Sequence, residues 1–248
     1  MKKLNNKLAI VTGGNSGIGY AAVKELISQG ATVIITGRRK EAVEKAALEL
    51  GAIPFIADQA NLHDIDLLKK EVEQQFGKVD ILFINAGITG SMALIENMDV
   101  HNFDEVMNIN FRGAYFTLSK FIPILSDGAS VIMLSSIVAS TYKPNSSVYQ
   151  ASKAALNSIT KTAAAELAPR KIRVNIISPG PINTDIMSKA GLDEETLKNL
   201  NNRLINEIPL KKMGTAEEVA KWVTYLSDPE VSGFITGTEI VIDGGITL

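Results

Sequence analysis

Cysteine is absent from this 248-residue chain, and histidine occurs only twice. The first absence removes disulfides, redox thiols, thiolate zinc sites and cysteine nucleophiles together, and it fits a reducing, cytoplasmic home. The two histidines, His63 and His101, lie far apart without carboxylate-rich spacing around them, so no metal site is expected. Long apolar runs are missing as well. No stretch approaches the roughly 20 residues of a membrane span, and residues 8–11, which follow the basic start Met1-Lys2-Lys3, are too few for a signal-peptide core. Neither sign of charge dominates: 25 Lys and Arg stand against 27 Asp and Glu, for a net charge of −2. With no long basic run, nothing draws the chain to nucleic acid or an anionic membrane surface. Repeats, low-complexity tracts and linkers are lacking too. A match to a glycosylation acceptor at Asn145-Ser146-Ser147 carries no weight without a secretion signal.

What is present is a globular composition, 46% hydrophobic and 21% charged, in a chain short enough for one α/β domain. Apolar, β-branched runs recur at residues 8–11, 32–36, 53–57, 81–84, 130–134, 174–177 and 239–242. Between them lie helically spaced segments at 18–29, 41–50, 62–76, 103–125, 148–167 and 216–227. Strand and helix alternation implies a Rossmann-like doubly wound parallel sheet of about seven strands with helices on both faces. The strand runs are continuous rather than alternating, as strands covered on both sides require. Residues 179–214 are the most irregular stretch, with an asparagine-rich, charged middle at 192–208, and about 180–214 reads as a mobile insertion or substrate lid. Trp222, with Val219 and Val223 nearby, is expected to pack rather than recognise substrate.

Two clusters point to chemistry. Gly13-Gly14-Asn15-Ser16-Gly17-Ile18-Gly19 follows the first strand and opens the first helix. Glycines there let backbone approach a pyrophosphate, and the helix N-terminus offers unpaired N–H groups and partial positive charge. The second strand ends in Thr36-Gly37-Arg38-Arg39, where a ribose 2′-hydroxyl would call for an acid. A guanidinium suits a 2′-phosphate, which favours NADP(H) and leaves NAD(H) possible; stacking on adenine or facing solvent are the alternatives for Arg38. The second cluster is Tyr149-Gln-Ala-Ser-Lys153, with Ser136 thirteen residues upstream. Four residues apart on a helix, Lys153 can favour the phenolate and draw Tyr149 down from its ordinary pKa of about 10. The pair reads as a tuned proton donor.

Together these residues resemble the short-chain dehydrogenase/reductase family over nearly the whole chain. Thr12 to Gly19 matches its Thr-Gly-x-x-x-Gly-x-Gly pattern, and the final Asp243-Gly244-Gly245 also fits. The resemblance implies a catalytic tetrad of Asn110, Ser136, Tyr149 and Lys153. Ser135 beside Ser136, and Asn108 beside Asn110, are the neighbouring alternatives; strand alternation lets only one of the two serines face the site. The likeness further implies that Asn85-Ala86-Gly87 lines the cofactor, that Asp58 holds adenine, and that Pro179, Gly180 and the Thr184 hydroxyl meet the nicotinamide carboxamide. Ile182 joins that cofactor-binding set, as do Tyr149 and Lys153. By the same resemblance Lys153 would anchor the nicotinamide ribose, and Asn110 would hold a water linking it to solvent. A homotetramer is implied, paired through the helices at 103–125 and 148–167.

The expected reaction is hydride transfer between nicotinamide and a ketone or secondary alcohol. The substrate pocket should be bounded by residues 88–92, 138–142, 181–187 and 200–208, mostly apolar or small, so a neutral hydrophobic ketone is favoured. A 3-oxoacyl-acyl-carrier-protein reductase is the close alternative. Arg170 sits suitably for an acidic carrier, but Leu125-Ser126-Asp127-Gly128 is acidic where a cation would help. A non-catalytic dinucleotide sensor would be expected to lose a tetrad member, and an extended-family epimerase would want a longer C-terminal part.

Overall fold

The computed structural model describes residues 2–184 and 194–248. The chain alternates strand and helix: β1 (Leu8–Thr12), α1 (Gly17–Ser28), β2 (Thr32–Gly37), α2 (Lys40–Leu50), β3 (Ile53–Ile56), α3 (Leu62–Phe76) and β4 (Val79–Ile84). Then come α4 (Val100–Met107), a π-helical segment Asn108–Gly113, α5 (Ala114–Phe121), β5 (Leu125–Leu134), α6 (Ser147–Leu167) and β6 (Arg173–Pro179). The last part holds β7 (Ile182–Asn183), α7 (Glu194–Glu207), β8 (Gly214–Thr215), α8 (Ala216–Ser227), α9 (Pro229–Ser232) and β9 (Glu239–Ile242).

Seven strands form one parallel sheet in the order β3-β2-β1-β4-β5-β6-β9. Successive strand residues face opposite sides, and both sides are apolar. Ile10, Leu82, Val131 and Val174 pack with residues of α3, α5 and α6, while Ala9, Val11, Phe83 and Ile132 pack with α1, α2 and α8. Burial on both faces is why the strand runs read as continuous. Strand order reverses between β1 and β4, so their C-terminal ends open a crevice at the topological switch point.

The structure departs from the sequence reading in three places. The helix expected at 103–125 starts earlier, capped by Asp99, whose side chain accepts from Asn102 N at 2.9 Å. It is interrupted by the π turn at Asn108–Gly113 and ends before Pro123. Consequently β5 begins at Leu125, five residues before the expected start, with a register break against β4. In the expected lid, β7 and β8 pair as a two-stranded sheet, Ile182 with Gly214 and Asn183 with Thr215, and α7 forms a helix where the sequence pattern was weak. Residues 185–193 of the expected lid, which include 185–187 of the expected pocket wall, lie outside the described residues.

Candidate active site

The predicted site residues gather at the C-terminal edge of the sheet. The turn after β1 is held from β4. Thr12 Oγ1 accepts from both Asn85 N and Ala86 N at 3.0 Å, and Asn85 Nδ2 donates to Thr12 O at 2.8 Å and Gly13 O at 3.2 Å. Close approach explains Gly19: a Cβ there would stand 2.3 Å from the Gly13 carbonyl oxygen. Ser16 occupies the N-cap of α1 without a side-chain cap bond, and the first turn carries no acid. Among the described residues a Cβ on Gly17 would meet Thr184 alone, 3.7 Å from its methyl. Such a turn, with uncapped N–H groups and a cradle that a side chain would fill, fits a dinucleotide pyrophosphate.

At the end of β2, the Asn15 amide oxygen lies over Gly37, and Arg38 and Arg39 reach solvent. Among the described residues Arg38 pairs with an exposed Glu105 carboxylate at 4.0 Å, a weak interaction that an anionic ligand could replace. Asp58, half-buried after β3, accepts from Ala60 N at 2.9 Å. Pro179 ends β6, and Gly180 N donates to Ile242 O at 2.8 Å. The Ile182 side chain is packed into the core against Gly214, so only its backbone faces outward to a ligand.

The four candidate catalytic residues meet around α6. Tyr149 and Lys153 share a face of this helix, with Lys153 Nζ 5.9 Å from the tyrosine ring centroid. Lys153 is buried and donates to Leu134 O at 2.8 Å; burial lowers its pKa to about 8. Tyr149 moves the other way. Burial raises the phenol, and a hydrogen bond with Ser136 offsets part of that rise. Desolvation of the phenolate outweighs the Ser136 hydrogen bond, so Tyr149 stands above its ordinary value rather than below it as expected.

Tertiary packing separates the adjacent alternatives. The Ser135 hydroxyl turns back to Lys153 O at 3.4 Å, whereas Ser136 faces the phenol. Asn108 is half-buried, whereas Asn110 is fully buried, its Oδ1 accepting from Ile88 N and its Nδ2 donating to Ile88 O, both at 2.8 Å. Asn110 Nδ2 also donates to Ser152 Oγ at 3.1 Å. A Cβ on Gly87 would lie 3.2 Å from Asn110 Oδ1 and 3.4 Å from Lys153 Nζ, which shows how closely these groups converge.

Sequence reasoning missed Gln59. It is buried, and its Nε2 donates to Ala86 O at 3.1 Å and to Ile109 O at 3.0 Å, tying the loop after β3 to the Asn-Ala-Gly turn and to the π segment. A π turn displaces carbonyls from the regular helical ladder, and here a side-chain donor satisfies one of them. No local signal marks such a residue, since its partners lie 27 and 50 positions away.

A cavity beside Tyr149 is lined by Thr89, Ser91, Met92, Met98, Asn145, Ser146 and Val148. This recess is small, about 10 Å³; of the expected walls Thr89, Ser91 and Met92 line it, residues 138–142 do not, and Asn145, Ser146 and Val148 stand on its other side. A larger cavity of about 330 Å³, between Pro181, Leu210, Trp222 and Ile242, contains none of the four candidate catalytic residues. Trp222 thus lines a surface groove, 38% exposed and edge-on to Tyr225, while Val219 and Val223 fill the core.

Comparison with known proteins agrees with this geometry. A family model described as enoyl-(acyl carrier protein) reductase matches residues 13–247. The 3-oxoacyl-(acyl-carrier-protein) reductase of Thermotoga maritima is 36% identical over 253 residues, covering 99% of this chain and 100% of that protein. A 3alpha-hydroxysteroid dehydrogenase of Mediterraneibacter gnavus is 35% identical over 253 residues, covering 97% of each. Among solved structures, a Serratia marcescens short-chain dehydrogenase/reductase variant superposes with a TM-score of 0.90 at 30% identity, covering 99% of this chain and 100% of that one. A nicotinamide-dependent class is what the fold and the crevice define, and the chain belongs to the short-chain dehydrogenase/reductase family. It is an NAD(P)-dependent oxidoreductase acting on CH–OH and C=O groups. No helix among the described residues is long and apolar enough to cross a membrane.

Proposed function

We propose that this chain interconverts a neutral ketone and its secondary alcohol, working as an NADP(H)-dependent carbonyl reductase. The observation that carries the reading is the setting of Tyr149: a phenol on a cavity wall, hydrogen-bonded by Ser136 and one helical turn from a buried lysine. When bound, the dinucleotide supplies or accepts the hydride. Its pyrophosphate would lie on the turn from Gly13 to Gly19, its adenine near Asp58, and its carboxamide near Pro179, Gly180 and Thr184. Tyr149 gives its proton to the carbonyl oxygen as that oxygen gains charge, and its raised pKa keeps the proton in place until then. Ser136 donates to the same oxygen. Lys153 stabilises the phenolate left behind, and beyond its bond to Leu134 it has two N–H donors with which to hold the nicotinamide ribose. Both N–H groups of the Asn110 amide are spent, so a water leading from Lys153 to solvent would rest on an Asn110 oxygen.

Among the described residues no charged side chain lines the cavity beside Tyr149, which supports a neutral substrate over a phosphorylated or carboxylated one. Carrier-bound substrates are the second reading, favoured by the name of the Thermotoga relative. Against it, Arg170 donates to Asp127 at 2.9 Å and to Ile122 O at 2.8 Å, so this cation braces its own turn rather than an acidic carrier. The deciding experiment is steady-state oxidation of NADPH and NADH with simple alkyl and aryl ketones beside an acetoacetyl thioester. NADPH is expected to win by roughly ten- to hundredfold in kcat/KM, the scale of a charge-assisted contact from Arg38 or Arg39. A higher kcat/KM with NADH removes the role given to those arginines, and a thioester that outruns every ketone moves the assignment to the carrier-bound class.

Helix α7 and the paired β7 and β8 would serve as the lid over this site. A homotetramer is part of the same reading. Helix α6 exposes the small residues Ala151, Ala154, Ser158 and Ala165, and Phe103 and Tyr115 stand exposed on α4 and α5. Such a surface allows close helix pairing between subunits. Sedimentation at micromolar concentration should give four chains per particle, and a monomer would remove this part of the proposal. The cysteine-free sequence suits a reducing cytoplasm.

A further inference from the structure

Asn102 has no place in the chemistry above, yet its amide is fully engaged. The residue lies on α4 and is 9% exposed. Its Oδ1 accepts from Ser91 N at 2.7 Å, and its Nδ2 donates to Ser91 O at 3.3 Å and to Met98 Sδ at 3.0 Å. One side chain thus meets both backbone groups of a single loop residue, as a neighbouring strand would. Asn110, eight positions on, does the same for Ile88 at 2.8 Å in both directions. Asn102 on α4 and Asn110 in the π-helical segment thus hold the loop at two points, 91 and 88.

Between those anchors the loop is pressed onto the helix. Gly90 has φ of +68°, and a Cβ there would stand 2.4 Å from Val106 Cγ2 and 2.7 Å from Asn102 Oδ1. On its other side the loop faces the site. Thr89, Ser91 and Met92 share a cavity with Tyr149, whereas Asn102 is not among its lining residues. A backbone bond from Ala93 N to Asn145 O at 3.0 Å joins the loop to the opposite wall.

We propose that Asn102 is a positioning residue: it fixes the wall at 89–92 and thereby sets which carbonyl substrates fit beside Tyr149. The proposal rests on the carbonyl-reductase reading. Removing the amide takes away the partner that fixes the Ser91 N–H and C=O in place, and the loop is then free to shift as those groups turn to water. Nothing in the glycine turn or around Lys153 depends on this contact.

The test compares wild type with Asn102→Leu, a change of similar size without hydrogen bonding, using NADPH with 2-butanone and acetophenone as probes. The ratio of kcat/KM for the two ketones is expected to shift by about fivefold or more, the scale of one hydrogen bond's net contribution, and mainly through KM. Because a ratio does not depend on the fraction of folded enzyme, a merely structural role leaves it unchanged. NADPH affinity should stay within about twofold of wild type, as expected of a contact outside the cofactor site. An unchanged ratio overturns the proposal. Hydrogen exchange on the full chain gives a second readout that needs no turnover: amides of residues 88–93 should exchange faster in the variant while those of 12–19 do not, and equal exchange also overturns it. A wild-type chain that reduces neither ketone would sink the carbonyl-reductase reading, and exchange then still decides whether Asn102 holds the loop. Should Asn102→Leu fail to fold, Asn102→Asp, which keeps an acceptor for Ser91 N–H, carries the same measurements.

Discussion

Tyr149→Phe is expected to lower kcat by roughly a thousandfold or more while leaving NADPH affinity within about twofold, because it removes a positioned proton donor and little else. Phenylalanine keeps the ring that packs beside Lys153, and only the hydroxyl that meets Ser136 is lost. Among the described residues on the cavity wall none can replace it as an acid: the aliphatic hydroxyls of Thr89, Ser91 and Ser146 and the Asn145 amide are far weaker acids than a phenol, and the methionines and valine carry no acidic proton. Single-turnover oxidation of NADPH isolates the chemical step, and a fluorescence titration gives the affinity. A variant that keeps a tenth of wild-type turnover would show that Tyr149 is not the proton donor.

The second large effect concerns charge. Lys153→Met replaces a buried ammonium with an apolar chain of similar length and is expected to lower kcat/KM by at least a hundredfold, the scale for removing one electrostatic partner of the reacting groups. The same lysine should govern the pH profile. With its pKa lowered to about 8 by burial, Lys153 is charged below that pH and loses the charge as pH rises through it. Tyr149, pushed upward, keeps its proton across that range. Ketone reduction should therefore be flat on the acid side and fall above about pH 8, and the limb belongs to the lysine. A profile measured as kcat/KM in wild type and in Lys153→Arg, whose guanidinium stays charged, checks this. A limb that persists near pH 8 in the arginine variant assigns it to another group.

Much of the fold was legible because its strands are buried on both faces. Continuous runs such as Leu8 to Val11 and Val174 to Ile177 have no other economical place than the middle of a covered sheet. The glycine turn after β1 was legible for a related reason: the need for close backbone approach restricts Gly19 to the one residue without a side chain. Where reading failed, the cause was non-local. The π turn at Asn108–Gly113 leaves no periodic mark, since apolar spacing continues through it, and Ser130 was taken for the start of β5 because Gly128 breaks the apolar run. Gln59 and Asn102 look like ordinary polar positions until the loops they hold are seen beside them.

By itself the sequence determined the parallel doubly wound sheet, the tight glycine turn after β1 and the shared helix face of Tyr149 and Lys153, because each follows from local spacing: apolar periodicity, glycine placement, four residues on a helix. Only the tertiary structure decided between Ser135 and Ser136, committed the Ile182 side chain to the core, and set the direction of the tyrosine pKa. Those outcomes depend on which groups from distant strands remove water from each other, and desolvation is a property of the packed chain rather than of any segment.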